Sequence, residues 1–172
     1  MKVLLTSAAA AARLQRAREW LAERPPGGSL WVIGATQEAA SDALRHGLGN
    51  AAFGWRRITL GRLAAQIAAR ELARRALSPI SSLGLEALCA RVVHRLAQDN
   101  ALGRFQPVSA HPGLSRALSR TLQEARLGQA RLEGDLGRIL QAYEDELQRA
   151  GLADRAEVFR IAVASPGDTS FD

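Results

Sequence analysis

The 172-residue chain has one cysteine, Cys89, one lysine, Lys2, and one tyrosine, and only 5% of it is aromatic. A single cysteine excludes an internal disulfide and any multi-cysteine metal site, so a reducing, cytoplasmic setting is expected. No apolar run approaches the ~20 residues of a membrane span. The N-terminus, with a lone Lys2 and no small-residue cleavage site behind a longer apolar stretch, does not read as a signal peptide. What is present is globular in composition, 47% hydrophobic and 23% charged. The length suits one domain with a real core or two small subdomains. The formal charge is +6, and apart from Lys2 every basic residue is arginine. Arginine grips phosphate bidentately, which points to a polyanion partner. An arginine-for-lysine composition accounts for the charge equally well, because carboxylates are interleaved with the arginines and no block of like charge occurs.

Two halves differ in pattern. Up to about residue 77, short apolar runs alternate with helical stretches. Val3 to Thr6 is followed by a helix from Ala8 to Glu23 and a turn at Pro25-Pro26-Gly27-Gly28. A strand at Leu30–Gly34, a helix from Gln37 to Leu48, a strand at Trp55–Leu60 and a helix from Arg62 to Leu77 come next. This order predicts an α/β fold with a small three-stranded parallel sheet, right-handed crossovers and flanking helices. The continuously apolar Val3-Leu4-Leu5 and Leu30-Trp31-Val32-Ile33 runs fit strands covered on both faces. Residues 78–164 read as an all-helical subdomain. Leu85, Leu88, Cys89, Val92, Val93 and Leu96 share a helical face, as do Leu114, Leu118 and Leu122, and Leu136, Ile139, Leu140, Tyr143 and Leu147. Gly103 to Pro112 separates the first stripe from the second, and a last short helix is expected from Ala153 to Ala164. Residues 165–172 are polar and turn-forming, a linker or frayed end. Three parallel strands make a small sheet for an independent α/β domain, so the chain reads as the front of something larger.

Candidate sites are few. Gly34 ends a strand, Thr36 stands where an N-cap belongs, and Ala39, Ala40 and Ala43 allow close helix packing. Such a turn can face an anion with free N–H groups or be a plain capped helix. Trp55 beside Arg56 and Arg57 is the one aromatic and basic cluster, whereas Trp20 and Trp31 read as core. His46, His94 and His111 lack partners at ligand spacing, so no metal is expected. Cys89 lies on an apolar face and reads as a buried thiol. Glu144, Asp145 and Glu146 read as a solvated acidic face.

The order of pieces carries a resemblance. A strand and helix at the phosphate-loop position precede Thr36-Gln37-Glu38-Ala39-Ala40. Arg57-Ile58-Thr59-Leu60-Gly61-Arg62-Leu63 and a helical insert follow, then Arg138-Ile139-Leu140-Gln141-Ala142-Tyr143-Glu144, Gly151-Leu152-Ala153-Asp154-Arg155 and Phe159. This series resembles the N-terminal helicase-like region of superfamily 1 DNA helicases of the UvrD/RecB type, and more closely the AddB/RexB branch of bacterial double-strand-break repair nucleases. The resemblance implies a DNA-facing role, for single strands above all, for Thr36, Gln37, Trp55, Arg57, Thr59 and Arg62. It places a degenerate nucleotide site at Thr6 and Ser7. A phosphate loop needs glycines to wrap N–H groups around the phosphates, a lysine and a magnesium-holding hydroxyl. Thr6 to Leu14 has neither glycine nor lysine, so this region resembles an inactivated module of the kind found in AddB and RecC relatives, with no cofactor. The acidic E-x-K nuclease motif of the family is absent from these residues, since Lys2 is the only lysine. The expected role is therefore to bind or guide DNA. The chain would also pack against the remainder of a longer polypeptide or a helicase or nuclease subunit, without catalysis of its own and with self-association as a fragment. A helical protein-interaction module with no nucleic-acid role is the alternative. Titration of magnesium-ATP by calorimetry is expected to give no heat above dilution; a micromolar site mapping to Ser7 would overturn the inactivated reading.

Overall fold

The computed structural model describes residues 3–25, 28–47 and 54–165, with the backbone alone for His46 and Gly47. Parts of the expected 25–28 turn, the end of the helix expected to reach Leu48, and nearly all of the expected 165–172 linker lie outside the described residues. The chain divides into two compact units, and the division falls within a helix, after Leu63. The change of pattern in the sequence comes later, after Leu77.

The first unit contains α1 (Ala10–Ala22), β1 (Leu30–Gly34), α2 (Gln37–Gly47), β2 (Trp55–Thr59) and the opening turn of α3 (Leu60–Arg74). β1 and β2 pair in parallel, Leu30 opposite Trp55 through Gly34 opposite Thr59. α2 makes the crossover, packing across both strands and against α1. The sheet therefore has two strands among the described residues, where three were expected. Val3 to Thr6 forms no strand. Apolar side chains in a run announce a need for cover, and here cover is missing: Val3 is 57% and Leu4 86% exposed. Without burial on two faces, nothing offsets the entropy of fixing the segment as a strand. Helix α1 starts at Ala10 with no side-chain cap, because the Ser7 hydroxyl is used two residues on, accepting the Ala9 N–H at 3.2 Å. Trp20, expected in the core, is at the surface with the Arg24 guanidinium stacked 4.0 Å from its ring centre. Trp31 is half-buried rather than enclosed, with Arg56 over its ring at 5.3 Å.

The second unit is helical, as its periodicity predicts. It continues α3 and adds α4 (Ser82–Gln98), a 3-10 turn at Gly103–Val108, α5 (Pro112–Leu127), α6 (Gly134–Arg149) and α7 (Arg155–Ala164). Ser81 caps α4 by accepting the Gly84 N–H at 3.1 Å. The α4 stripe from Leu85 to Leu96 is buried against Leu118 and Leu122 of α5 and Ile139, Tyr143 and Leu147 of α6. A smaller cluster joins Ala64, Ala68 and Leu72 of α3 to Val158, Ile161 and Ala162 of α7.

One element had no sequence signal. β3 (Ser78–Pro79) pairs in parallel with β4 (Leu152–Ala153). The Ser78 N–H donates to Gly151 O at 2.9 Å and the Ile80 N–H to Ala153 O at 3.0 Å, so Pro79 sits where the ladder asks for no donor. Ala153 is thereby drawn into the strand, and α7 starts two residues later than expected.

Asp154 follows at once and is fully buried. Its Oδ1 accepts the Glu157 N–H at 2.9 Å, which caps α7. Its Oδ2 accepts the Tyr143 hydroxyl at 3.2 Å. Arg126 Nε of α5 lies 2.8 Å from Oδ2 without the alignment of a hydrogen bond, while its Nη2 donates to Oδ1 at 3.4 Å, and the same guanidinium pairs with Glu144. Burial first, and then the Asp154 charge, push the Tyr143 hydroxyl well above its ordinary pKa. The acidic face expected at residues 144–146 is thus corrected: of the three carboxylates only Asp145 lies on an exposed residue. Glu146 is buried and engaged by three arginines, Arg91 at 2.5 Å, Arg95 at 3.0 Å and Arg149. Three positive partners supply the desolvated carboxylate with its charge balance.

Replacing Asp154 with alanine leaves Arg126 half-matched in a nearly closed site and removes the α7 cap. The expected loss is about 3–5 kcal/mol of stability, read from urea unfolding, against about 1 kcal/mol for Tyr143→Phe. Equal midpoints for Asp154→Ala and the unmodified protein would show that the buried carboxylate organises nothing.

Candidate nucleic-acid interface

The candidate residues sit where two parallel strands hand over to two helices. At the end of β1 the chain turns so sharply into α2 that a Cβ on Gly34 would stand 2.8 Å from Ala40 N and 2.8 Å from Thr36 O. Only glycine fits such backbone contact. Thr36 then caps α2, its hydroxyl accepting the Ala39 N–H at 3.1 Å. At the end of β2, Thr59 does the same for α3, accepting the Arg62 N–H at 3.3 Å. Because Gly34 stands opposite Thr59 in the ladder, the two threonine-capped turns leave the same edge of the sheet.

Gln37 and Arg57 fasten α2 to β2. Gln37 Nε2 donates to Arg57 O at 3.4 Å, Ser41 Oγ donates to Gln37 O at 2.8 Å, and Arg57 Nη1 donates to Ser41 Oγ at 3.3 Å. The structure therefore brings Thr36, Gln37, Arg57 and Thr59 together, with Arg62 exposed on the first turn of α3. Trp55 is not among them. It opens β2 opposite Leu30, and at about 3.3 Å per residue the length of the strand, about 13 Å, separates it from Thr59.

An anion already belongs to one of the two turns. Glu38 is the acidic residue in the first turn of α2. Its carboxyl is held below the ordinary glutamate range by its own backbone N–H first, and then by the Thr36 hydroxyl. The first turn of α3 carries no acid, so its N–H groups face no built-in negative charge. The sequence signal for this difference was plain: a glutamate two residues after one capping threonine and an arginine three residues after the other.

The strand expected to lead into Thr6 and Ser7 is absent. Thr6 and Ser7 are exposed and lie on no strand; the Ser7 carbonyl accepts from Arg13. Among the described residues no group of histidine, cysteine and carboxylate side chains could hold a metal ion. His94 and His111 are exposed, and the His46 side chain lies outside the described residues. Cys89 is buried, as expected, and burial first and the Glu86 charge second push its thiol up to about 12, which leaves it un-ionised and inert at neutral pH. Among the described residues, no helix is long and apolar enough to cross a membrane.

Comparison of the chain with protein-family models, with curated proteins and with solved structures finds no match.

The glycines Gly34, at the end of β1, and Gly61, in the first turn of α3, should respond in opposite directions. Gly34→Ala forces a methyl onto the backbone of the β1–α2 turn and is expected to destabilise by about 1–3 kcal/mol. Gly61→Ala meets nothing within 4 Å and lies in a helix, so a gain of about 0.5–1 kcal/mol is expected. Chemical unfolding of both variants checks this; a Gly34→Ala variant as stable as the parent would mean that the turn is looser than described.

Proposed function

We propose that the first unit holds the sugar–phosphate backbone of DNA, single-stranded in the first instance, at the strand-to-helix edge, without nucleotide-driven chemistry of its own. The observation that carries this reading is the parallel register that sets the Thr59-capped start of α3 beside the Gly34–Thr36 turn. Charge supports it: residues 1–63 contain nine basic residues against four carboxylates. Since Glu38 occupies the α2 turn, the phosphate contacts fall to Arg57, Arg62, the Thr59 turn and the opening N–H groups of α3. Thr36 and Gln37 act by holding that edge in place. The order of sequence pieces resembling AddB/RexB-type proteins supports a setting in double-strand-break repair, with the chain as an inactivated helicase-like part of a larger assembly.

A specific observation also favours a protein partner on this unit. Its buried apolar residues, among those described, are only Leu21, Ala40 and Ile58, while Leu4, Leu14 and Leu60 are 86%, 51% and 52% exposed. Packing against further polypeptide would cover them, in keeping with a part of a larger assembly.

Backbone contacts carry no base information, so binding should be weak, sequence-independent and steeply salt-dependent. Replacing Arg57 and Arg62 together with alanine removes up to two phosphate contacts and should shrink the log–log salt slope for single strands by about 1.4. Arg104→Ala with Arg131→Ala, two exposed arginines of the helical unit, is the charge-matched control. If both double variants lose binding equally, the attraction is net charge and the strand-end site is wrong.

A further inference from the structure

The two tryptophans that the pattern assigned to the core instead help to line one groove of the first unit. Trp20 and Leu21 of α1, Arg24 just beyond it, and Trp31 and Ile33 of β1 line it together with Leu5, around a volume of about 560 Å³. Each ring carries a guanidinium: Arg24 stands 4.0 Å from the Trp20 ring centre and Arg56 5.3 Å from that of Trp31. Among the described residues no carboxylate lines the groove, and residues 1–63 carry nine basic residues against four carboxylates. Flat apolar rings beside stacked arginines, with no negative charge among them, suit a ligand that is itself flat, apolar on its faces and anionic along its backbone. Unpaired nucleobases on a phosphodiester chain have this chemistry, and aromatic and guanidinium planes stack them without regard to sequence. An apolar peptide would gain from the leucines and Ile33 but not from two arginines laid on indole rings.

We propose that this groove stacks the bases of single-stranded nucleic acid, Trp20 and Trp31 supplying the planes and Arg24 and Arg56 meeting the phosphates beside them. The inference rests on the DNA-binding reading above but uses a different surface, so the two can fail separately. It adds what the strand-end edge lacks, a contact that distinguishes a strand with bases from a bare phosphate chain and a single strand from a duplex with its bases stacked inside.

The test is intrinsic tryptophan emission of the whole chain, titrated with a thymidine homo-oligonucleotide of about 12 nucleotides and with an abasic oligomer of the same length, the size being set by typical single-strand sites. The homo-oligonucleotide is expected to quench the emission and to bind roughly fivefold or more tightly than the abasic chain. Trp20→Ala should abolish that preference, and Trp20→Phe should keep most of it. Equal binding of the two oligomers to the unmodified protein overturns the proposal whether or not any variant folds. So does a folded Trp20→Ala variant with unchanged preference, or one that alters self-association in sedimentation while leaving oligonucleotide binding intact, which would mark the groove as a protein contact. Loss of binding in the Arg57 and Arg62 double variant with no base preference anywhere would leave the strand-end reading standing and this one refuted. If neither oligomer binds the unmodified protein, both readings fall.

Discussion

The helical unit is organised around one desolvated carboxylate. Asp154 accepts from the first turn of α7 and from Tyr143 of α6, and it pairs with Arg126 of α5. Removing a carboxylate from water is costly, and the attraction recovered depends steeply on geometry. Helices placed a fraction of an ångström differently would leave that charge unmatched, whereas leucine against leucine tolerates sliding. The polar cluster thus fixes an arrangement that the apolar stripes of α4, α5 and α6 would otherwise satisfy only loosely. Glu146 repeats the device with Arg91, Arg95 and Arg149.

Those clusters change the meaning of the basic composition. Arginines that answer buried carboxylates contribute little field outside the protein. In the helical unit Arg126 pairs with buried Asp154, Arg91, Arg95 and Arg149 reach from the surface to buried Glu146, and Arg74 and Arg75 hold Glu71, whose carboxyl falls to about 2 through their hydrogen bonds. In the first unit Arg16 and Arg45 pair with Glu19 and Asp42, whereas Arg57 donates to Ser41, Arg56 and Arg24 lie on indole rings, and among the described residues Arg57 and Arg62 form no ion pair. Net charge alone could not separate structural arginines from available ones; the partners do.

How far the fold was legible follows from the range of each interaction. The helices of the second unit could be read because a 3.6-residue period is local and the residues that make it are the residues that pack. Cys89 and the capping Thr36 are of the same kind. The third strand failed because an apolar run records what a segment would bury, not whether anything is there to cover it. Glu146 was readable in principle: it follows Tyr143 by three residues and Ile139 by seven, on the buried face of α6, but its place in a run of three acids concealed this. In the candidate site, the turn at Thr36 could be located from its capping threonine, whereas Thr59 was read inside a strand reaching Leu60 and caps a helix that starts at Leu60 rather than Arg62. Trp55 was misplaced because nearness to Arg57 in sequence says nothing about which end of a strand a residue occupies. Trp20 and Trp31 were assigned to the core from their places on an amphipathic helix and inside a strand, without knowledge of whether a second layer existed.

The β3–β4 pair joins residues that lie far apart in the chain, and it brings with it the cluster between α3 and α7. Contacts of such sequence separation must overcome the loop entropy before they return any stabilisation. During synthesis from the N-terminus, Ala64, Ala68 and Leu72 emerge long before Val158 and Ile161, and α3 must wait with its apolar stripe uncovered until α7 has been made. The hairpins among α4, α5 and α6 can form meanwhile, so α3 is completed only after the helices that lie between it and α7 in the chain.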